Sequence, residues 1–316
     1  MASPININSP DPRSYTGQTA IVTGGCSGIG LATGQLLHML GCNVVLGDLK
    51  PPKQYKQDAL FSSIKIHYHH CDVTSWQSVK GLYDRALELY GSVDIVVANA
   101  GVNEEAGAFY ASNKSEPNLA PIDVNIKGTF YTALLGMQYM QENNHGGRIV
   151  LTSSMAGYFP QFGLPLYTAS KSALLGFLRV MAVECFPRGI AVSAVCPGLT
   201  RTSMIQTLLD KNEENVASVE DRLDELFNRF DSVGIPTQLP EVVAKAIVYL
   251  AGRGLRVTGQ ALYVQAGEVI EVEKEVQKSM PKWLVDKMRY MYPDEEKWGE
   301  LSGATKASKH SKAGKL

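Results

Sequence analysis

No run of about 18 apolar residues occurs in the chain, and its opening, "MASPININSPDPRSYTG", lacks a basic flank followed by an apolar stretch. Neither a membrane span nor export is indicated. A basic excess is missing too: the formal net charge is -1 and the pI about 6.6, which leaves no electrostatic footprint for nucleic acid. Cys26, Cys42, Cys71, Cys185 and Cys196 show no Cys-x-x-Cys spacing, which disfavours a disulfide frame or a zinc site. Reduced thiols that serve packing are expected instead. The histidines of "HYHH" alternate across a strand, with His67 and His69 on one face and His70 on the other, and no carboxylate or Cys pattern completes a ligand set. No metal is expected.

What is present is a well-mixed chain of 316 residues, 45% hydrophobic and 19% charged, long enough for one large core. Short Val- and Ile-rich runs alternate with segments of helical period: "TAIVTG", "NVVLGD", "IKIHYHHCDV", "VDIVVANAG", "GRIVLTSS", "IAVSAVCPG" and "GQALYVQAG". Parallel strands need helical crossovers, so this rhythm predicts an α/β fold. It is a Rossmann-type doubly wound parallel sheet of about seven strands with helices on both faces, formed as a single domain over residues 15–270.

Three segments fall outside the rhythm. Residues 1–14 are polar and Pro-rich and are expected to be flexible. Residues 199–239, between "CPG" and the helix near Pro240, exceed a simple βα connection and read as a substrate lid. Within them Val219, Leu223, Phe227 and Phe230 recur at helical spacing, an apolar face that either packs on the body or meets substrate. Residues 271–316 form a C-terminal extension, first charged and helical, then a basic tail, "SGATKASKHSKAGKL", of disordered composition. Its final Gly-Lys-Leu lies near a peroxisomal address, but Gly314 departs from the preferred Ser, and a cytoplasmic location is expected.

The stretch "TAIVTGGCSGIGLATGQLL" sets Gly24, Gly28 and Gly30 after a strand and at the start of a helix that Gly41 should end. Such a turn lets backbone N–H groups approach a pyrophosphate, and the helix N-terminus adds partial positive charge. The second strand ends in "GDLK", where the Asp48 carboxylate can accept hydrogen bonds from an adenosine ribose and would repel a 2'-phosphate. Cys26 and Ser27 in the turn offer no cation to a phosphate. NAD is therefore expected over NADP, with Lys50 as the residue that could soften this choice.

The chemistry concentrates in "SSMAGYFPQFGLPLYTASK". Tyr167 and Lys171, one helical turn apart, place a phenol beside an ammonium. A Tyr, with an ordinary pKa near ~10, needs such a charge to act as a base at neutral pH. Ser154 closes the fifth strand, where its hydroxyl can hold a substrate oxygen. Tyr167 then moves the proton, Lys171 tunes it and Ser154 orients the substrate. Arg148 and Arg201 read as solvated charges.

Taken together, "TGGCSGIG", "CDVT", "ANAG", "VNIKG", "SSMAG", "YTASK" and "CPG" make the chain resemble the short-chain dehydrogenase/reductase family over about residues 17–270. The resemblance implies that Asn125 is a fourth catalytic member, holding a water that relays protons from Lys171. It also implies a cofactor set: Gly24, Cys26, Ser27, Gly28, Ile29 and Gly30 in the turn, and Asp48. Asp72 and Val73 would meet the adenine, Asn99, Ala100 and Gly101 would support the cofactor, and Pro197, Gly198 and Thr200 would lie at the nicotinamide, with Tyr167 and Lys171 also in contact. In that family the helix after Asn125 and the one carrying Tyr167 pair across a two-fold axis, so a homodimer or homotetramer is expected.

"SSMAGYFPQFGLPLYTASK" and "AVCPGLTRT" look closest to the 15-hydroxyprostaglandin dehydrogenase-like members, which oxidise secondary alcohols with NAD. Those carry a substrate-binding Gln three residues before the Tyr, where this chain has Leu164, and their substrate is not transferred. The expected function is an NAD-dependent oxidoreductase interconverting a secondary alcohol and a ketone on a mostly apolar small molecule, because Phe159, Phe162, Leu164 and Leu166 precede the Tyr. The alternatives are an NADPH-dependent ketoreductase of a biosynthetic pathway and a cofactor-binding protein without redox chemistry.

Overall fold

The computed structural model describes residues 4–8, 10–53, 66–105, 116–142, 146–208 and 219–281. The chain divides into two compact units, Met1–Glu273 and Lys274–Leu316. Each of the seven apolar runs supplies a strand: β1 (Thr19–Thr23), β2 (Asn43–Asp48), β3 (Ile66–His70), β4 (Ile95–Ala98), β5 (Gly147–Thr152), β6 (Ile190–Pro197) and β7 (Ala261–Gln265). They pair in parallel in the order β3-β2-β1-β4-β5-β6-β7.

The sheet carries one strand more than the sequence suggests. β8 (Glu268–Glu271) pairs antiparallel with β7 through a two-residue turn, Ala266-Gly267, both with positive φ (48° and 86°). That is the hairpin geometry whose twist suits the flanking strands. β8 is a short edge strand with Glu at both ends, so its composition reads as a charged loop. The N-terminal segment, expected to be loose, is anchored at this edge. The Ile5 N–H donates to the Val269 carbonyl at 2.8 Å, and Ile7 is buried.

Helices cover both faces, and the strand alternation shows how. On one side α1 (Gly28–Met39) and α6 (Pro240–Arg253) bury Leu37, Ala246 and Ile247 against Ile95, Val97 and Val150. On the other, α2 (Trp76–Tyr90), α3 (Thr129–Glu142) and α4 (Pro165–Cys185) bury Leu82, Ala133 and Leu178 against Val96, Ile149 and Leu151. Neighbouring strand residues therefore point into different cores, and β4, buried throughout, has no polar face.

α2 is capped by Ser75, whose hydroxyl accepts from the Ser78 N–H, and ends at Gly91 in the left-handed region. An eight-residue π-helical segment, Pro121–Gly128, runs directly into α3. α5 (Val219–Ser232) lies in the expected lid, whose residues 209–218 are outside the described part. α7 (Glu273–Ser279) opens the C-terminal extension; the basic tail lies beyond the described residues. No helix among the described residues is long and apolar enough to cross a membrane, and they hold no cluster of metal-ligating side chains. All five cysteines are unpaired and buried.

From β1 the sheet grows one way through β2 and β3 and the other way through β4. At this reversal the connections leave on opposite faces, and a crevice opens beyond the carboxyl ends of the strands.

Candidate active site

That crevice is a cleft of about 710 Å³. Its near end is built by the turn between β1 and α1. Gly24 has φ +60°, and a Cβ there would sit 2.8 Å from the Ala100 Cα; at Gly30 a Cβ would collide with the Gly24 carbonyl oxygen. The turn and the end of β4 pack backbone to backbone, and only hydrogen fits between them. The Asn99 amide ties the joint by donating to the Thr23 and Gly24 carbonyls at 3.1 and 3.2 Å.

Gly24, Ser27, Gly28, Ile29, Asp48, Asp72, Val73, Asn99, Ala100, Gly101, Pro197, Gly198 and Thr200 all line the cleft. Cys26 and Gly30, from the same expected cofactor set, are not among its walls. Gly30 packs beneath Gly24, and the Cys26 main-chain N–H donates to Asp48 Oδ2 at 3.0 Å. Asp48 Oδ1 accepts from the Leu49 N–H at 2.7 Å, so both carboxylate oxygens are oriented by backbone donors at the cleft wall. Lys50 is exposed and does not line the cleft. The Asp72 carboxylate is oriented by Thr74, whose N–H and hydroxyl both donate to Oδ1.

Ser154, Tyr167 and Lys171 meet on the opposite wall. α4 is fastened to the end of β5 twice: the Ser153 hydroxyl donates to the Lys171 carbonyl at 2.8 Å, and Lys171 Nζ donates to the Thr152 carbonyl at 2.9 Å. The ammonium lies 5.6 Å from the centroid of the Tyr167 ring. Burial pushes the Lys171 ammonium down to about 8 and pushes the Tyr167 phenol up, while a hydrogen bond with Ser154 holds that phenol back. Both groups are thus drawn toward their neutral forms. Cys196 lies beneath them, its thiol kept protonated by burial that pushes it up to about 12.

Asn125 does not line the cleft. It is fully buried in the π-helical segment, and its amide is spent on protein partners: Oδ1 accepts from the Val102 N–H at 2.8 Å, and Nδ2 donates to the Val102 carbonyl at 3.0 Å and to Ser170 Oγ at 2.9 Å. A Cβ at Gly101 would sit 3.3 Å from Asn125 Oδ1 and 3.4 Å from Lys171 Nζ, so the two expected partners do approach one point.

Leu164, Leu199, Met204, Ile205, Phe230 and Ile235 give the cleft further apolar walls, beside the polar Gln161, Thr202 and Ser203. In the amphipathic helix α5 Phe227 is buried and Phe230 lines the cleft. Arg201 is no solvated charge: it pairs with Asp231 at 2.7 Å, donates to Thr237 at 2.9 Å and covers the Phe227 ring at 5.4 Å. Arg148 likewise donates to the Gln18 side chain at 2.6 Å. Sequence reasoning missed Glu104, which is buried and accepts a hydrogen bond from the Tyr167 N–H. Nothing in "VNEEAG" singles out one acid for burial.

A doubly wound sheet with a glycine turn at its reversal point and a long cleft beyond it defines a dinucleotide-binding α/β protein. The family model for short chain dehydrogenases matches residues 18–213. The chain is 32% identical to the short-chain dehydrogenase/reductase prx4 of Penicillium roqueforti, over 78% of this chain and 69% of that one. It is 32% identical to the 3-oxoacyl-[acyl-carrier-protein] reductase FabG of Thermotoga maritima, over 80% of this chain and 98% of that one. A crystal structure of a short-chain type dehydrogenase/reductase from Mycobacterium marinum superposes with a TM-score of 0.66 at 25% identity, covering 80% of this chain and 96% of that one. The chain belongs to the short-chain dehydrogenase/reductase family, oxidoreductases that act on CH–OH groups and bind NAD or NADP.

Proposed function

We propose that this chain is an NAD-dependent oxidoreductase that interconverts a secondary alcohol and a ketone on a mostly apolar small molecule. The observation that carries the reading is the convergence of Ser154, Tyr167 and Lys171 on one wall of a cleft whose other end presents the Asp48 carboxylate. The residues fit a dinucleotide: the crowded glycine turn admits only backbone near a pyrophosphate, and Asp48 retains lone pairs for ribose hydroxyls. Bound there, NAD supplies the hydride acceptor for alcohol oxidation.

The protein's own part is binding, orientation and proton transfer. Gly24, Ser27, Gly28 and Ile29 hold the pyrophosphate, with Gly30 and Cys26 supporting them from behind. Asp48 takes the ribose, Asp72 and Val73 the adenine, and Asn99, Ala100 and Gly101 the floor, with Pro197, Gly198 and Thr200 at the nicotinamide end. Ser154 donates to the substrate oxygen, Tyr167 takes the hydroxyl proton, and the Lys171 ammonium stabilises the phenolate that abstracts it. The Asn125 side chain, already satisfied, acts by holding the Val102 backbone and Ser170 in place.

Leu164 lines the cleft three residues before the Tyr, so the site is apolar where the prostaglandin-oxidising members carry Gln, and the proposed substrate is not a prostaglandin. A homodimer or homotetramer through α3 and α4 is part of the reading, supported by exposed Val180 and Val183 on α4. The unpaired thiols suit a reducing compartment, here the cytoplasm. The names of relatives such as FabG, a reductase, favour a second reading, a ketoreductase, for which NADPH is the cofactor we propose. One assay tests both: purified protein with NAD or NADP and a panel of secondary alcohols, then with NADH or NADPH and the matching ketones, followed by nicotinamide fluorescence. Turnover with NAD and an alcohol is expected; activity confined to NADPH and ketones would overturn the first reading in favour of the second.

A further inference from the structure

The Tyr167 peptide is held at both ends by one short stretch, residues 102–104. Its N–H donates to Glu104 Oε1 at 2.8 Å. Its carbonyl accepts from the Ser170 hydroxyl at 2.7 Å, that oxygen accepts from Asn125 Nδ2 at 2.9 Å, and the Asn125 amide closes on the Val102 main chain at 2.8 and 3.0 Å. The result is a closed ring of hydrogen bonds around the base of the Tyr167 side chain.

The Glu104 link meets a need the local sequence leaves open. α4 starts with Leu164 at its N-cap, where no side chain caps the helix, and with Pro165, which has no N–H. The Tyr167 N–H, at the third helical position, has no partner within its own helix. Glu104 reaches it from 63 residues away and is only 7% exposed, so its carboxylate sits at the positive end of α4 in a site largely closed to water. The same stretch, through Gly101, Val102 and Asn103, lines the cleft.

We propose that Glu104 is a positioning residue for the Tyr167 proton transfer, clamping the Tyr167 backbone to the cofactor side of the cleft so that the phenol keeps its distance to Ser154 and the substrate. The clamp rests on the reading of Tyr167 as the acid/base. It needs a hydrogen-bond acceptor at position 104, and an amide oxygen can serve as well as a carboxylate.

Glu104→Gln and Glu104→Met match wild type in length and differ from each other in that acceptor. Hydrogen–deuterium exchange on the peptide spanning Tyr167 is expected to run at least about tenfold faster at its amide in Glu104→Met, with Glu104→Gln close to wild type. With the best secondary alcohol of the panel, starting from 1-phenylethanol, kcat should fall at least about tenfold in Glu104→Met and stay within about threefold in Glu104→Gln, because a small misplacement of a reacting group is costly. NADH binding, read by fluorescence, should stay within about threefold in both, which separates positioning from loss of the fold. Should Glu104→Met not fold, Glu104→Ala gives the same contrast with the volume removed. Equal exchange or equal kcat in the Gln and Met variants would overturn the clamp. The exchange arm needs no substrate, so a panel in which wild type oxidises nothing counts against the proposed reaction and leaves the exchange result to decide the clamp.

Discussion

Replacing Lys171 by Met should move the pH at which Tyr167 works, and the geometry sets the size of the move. The ammonium is 5.6 Å from the ring centroid and almost fully buried, tied to the Thr152 carbonyl. A unit charge 5.6 Å away at an effective dielectric of about 20 contributes 332/(20 × 5.6), or about 3 kcal/mol, equivalent to about two pKa units. The sign follows from the charges: the cation favours the phenolate, so removing it raises the phenol further above a value that burial already pushes up. Since alcohol oxidation needs the phenolate and the ammonium is charged only below about pH 8, kcat/KM in Lys171→Met should drop up to about a hundredfold below that pH, with the rising limb shifted upward and the deficit narrowing above it. The measurement is kcat/KM for the best alcohol substrate across about pH 6 to 10, with NADH binding followed at each pH. A limb that stays where it is, with a uniformly lower rate, would refute the electrostatic role and leave Lys171 as a binding residue only.

Tyr167→Phe removes one hydroxyl and little volume, so turnover should nearly vanish while NADH binding by fluorescence stays within about threefold; turnover within a few fold of wild type would sink the assignment. Wild type should prefer NAD over NADP by at least about tenfold in kcat/KM, about 1.4 kcal/mol, and Asp48→Ala should weaken NAD use and narrow that gap. Steady-state kinetics with both cofactors decides this, and an NADP preference in wild type would show that Asp48 does not take the ribose. Gly30→Ala sets a methyl group against the Gly24 carbonyl, so it should distort the turn and cost at least about 1 kcal/mol of stability by overpacking, together with most NADH binding. An unchanged thermal midpoint with normal NADH affinity would contradict the close packing found there.

Where local rules suffice, the chain was legible. The parallel strands other than β3 are apolar-rich because helices cover both faces, so their runs stand out from their surroundings, whereas β3, at the sheet edge, reads Ile-His-Tyr-His-His. β8 was not legible for the opposite reason: it is a four-residue edge strand made possible by the left-handed backbone at Ala266 and Gly267, and its glutamates read as surface loop. Helix α5 was visible as a pattern, but that Phe227 is buried and Phe230 lines the cleft depended on where the helix lands. There Arg201 is linked to Asp231 and Thr237, 30 and 36 residues further along the chain.

The same division runs through the site. Spacing alone determined that Tyr167 and Lys171 share a helix face and that Gly24, Gly28 and Gly30 sit between a strand and a helix, because both relations are local and follow from the backbone period. Tertiary structure decided what those residues experience. Burial draws the Lys171 ammonium down to about 8, the Asn125 amide is used up on Val102 and Ser170, Cys26 serves Asp48 through its backbone, and Glu104 reaches the Tyr167 N–H across 63 residues of chain. Desolvation and long-range hydrogen bonds depend on which segments fold against one another, and no periodicity in the amino-acid order records that choice.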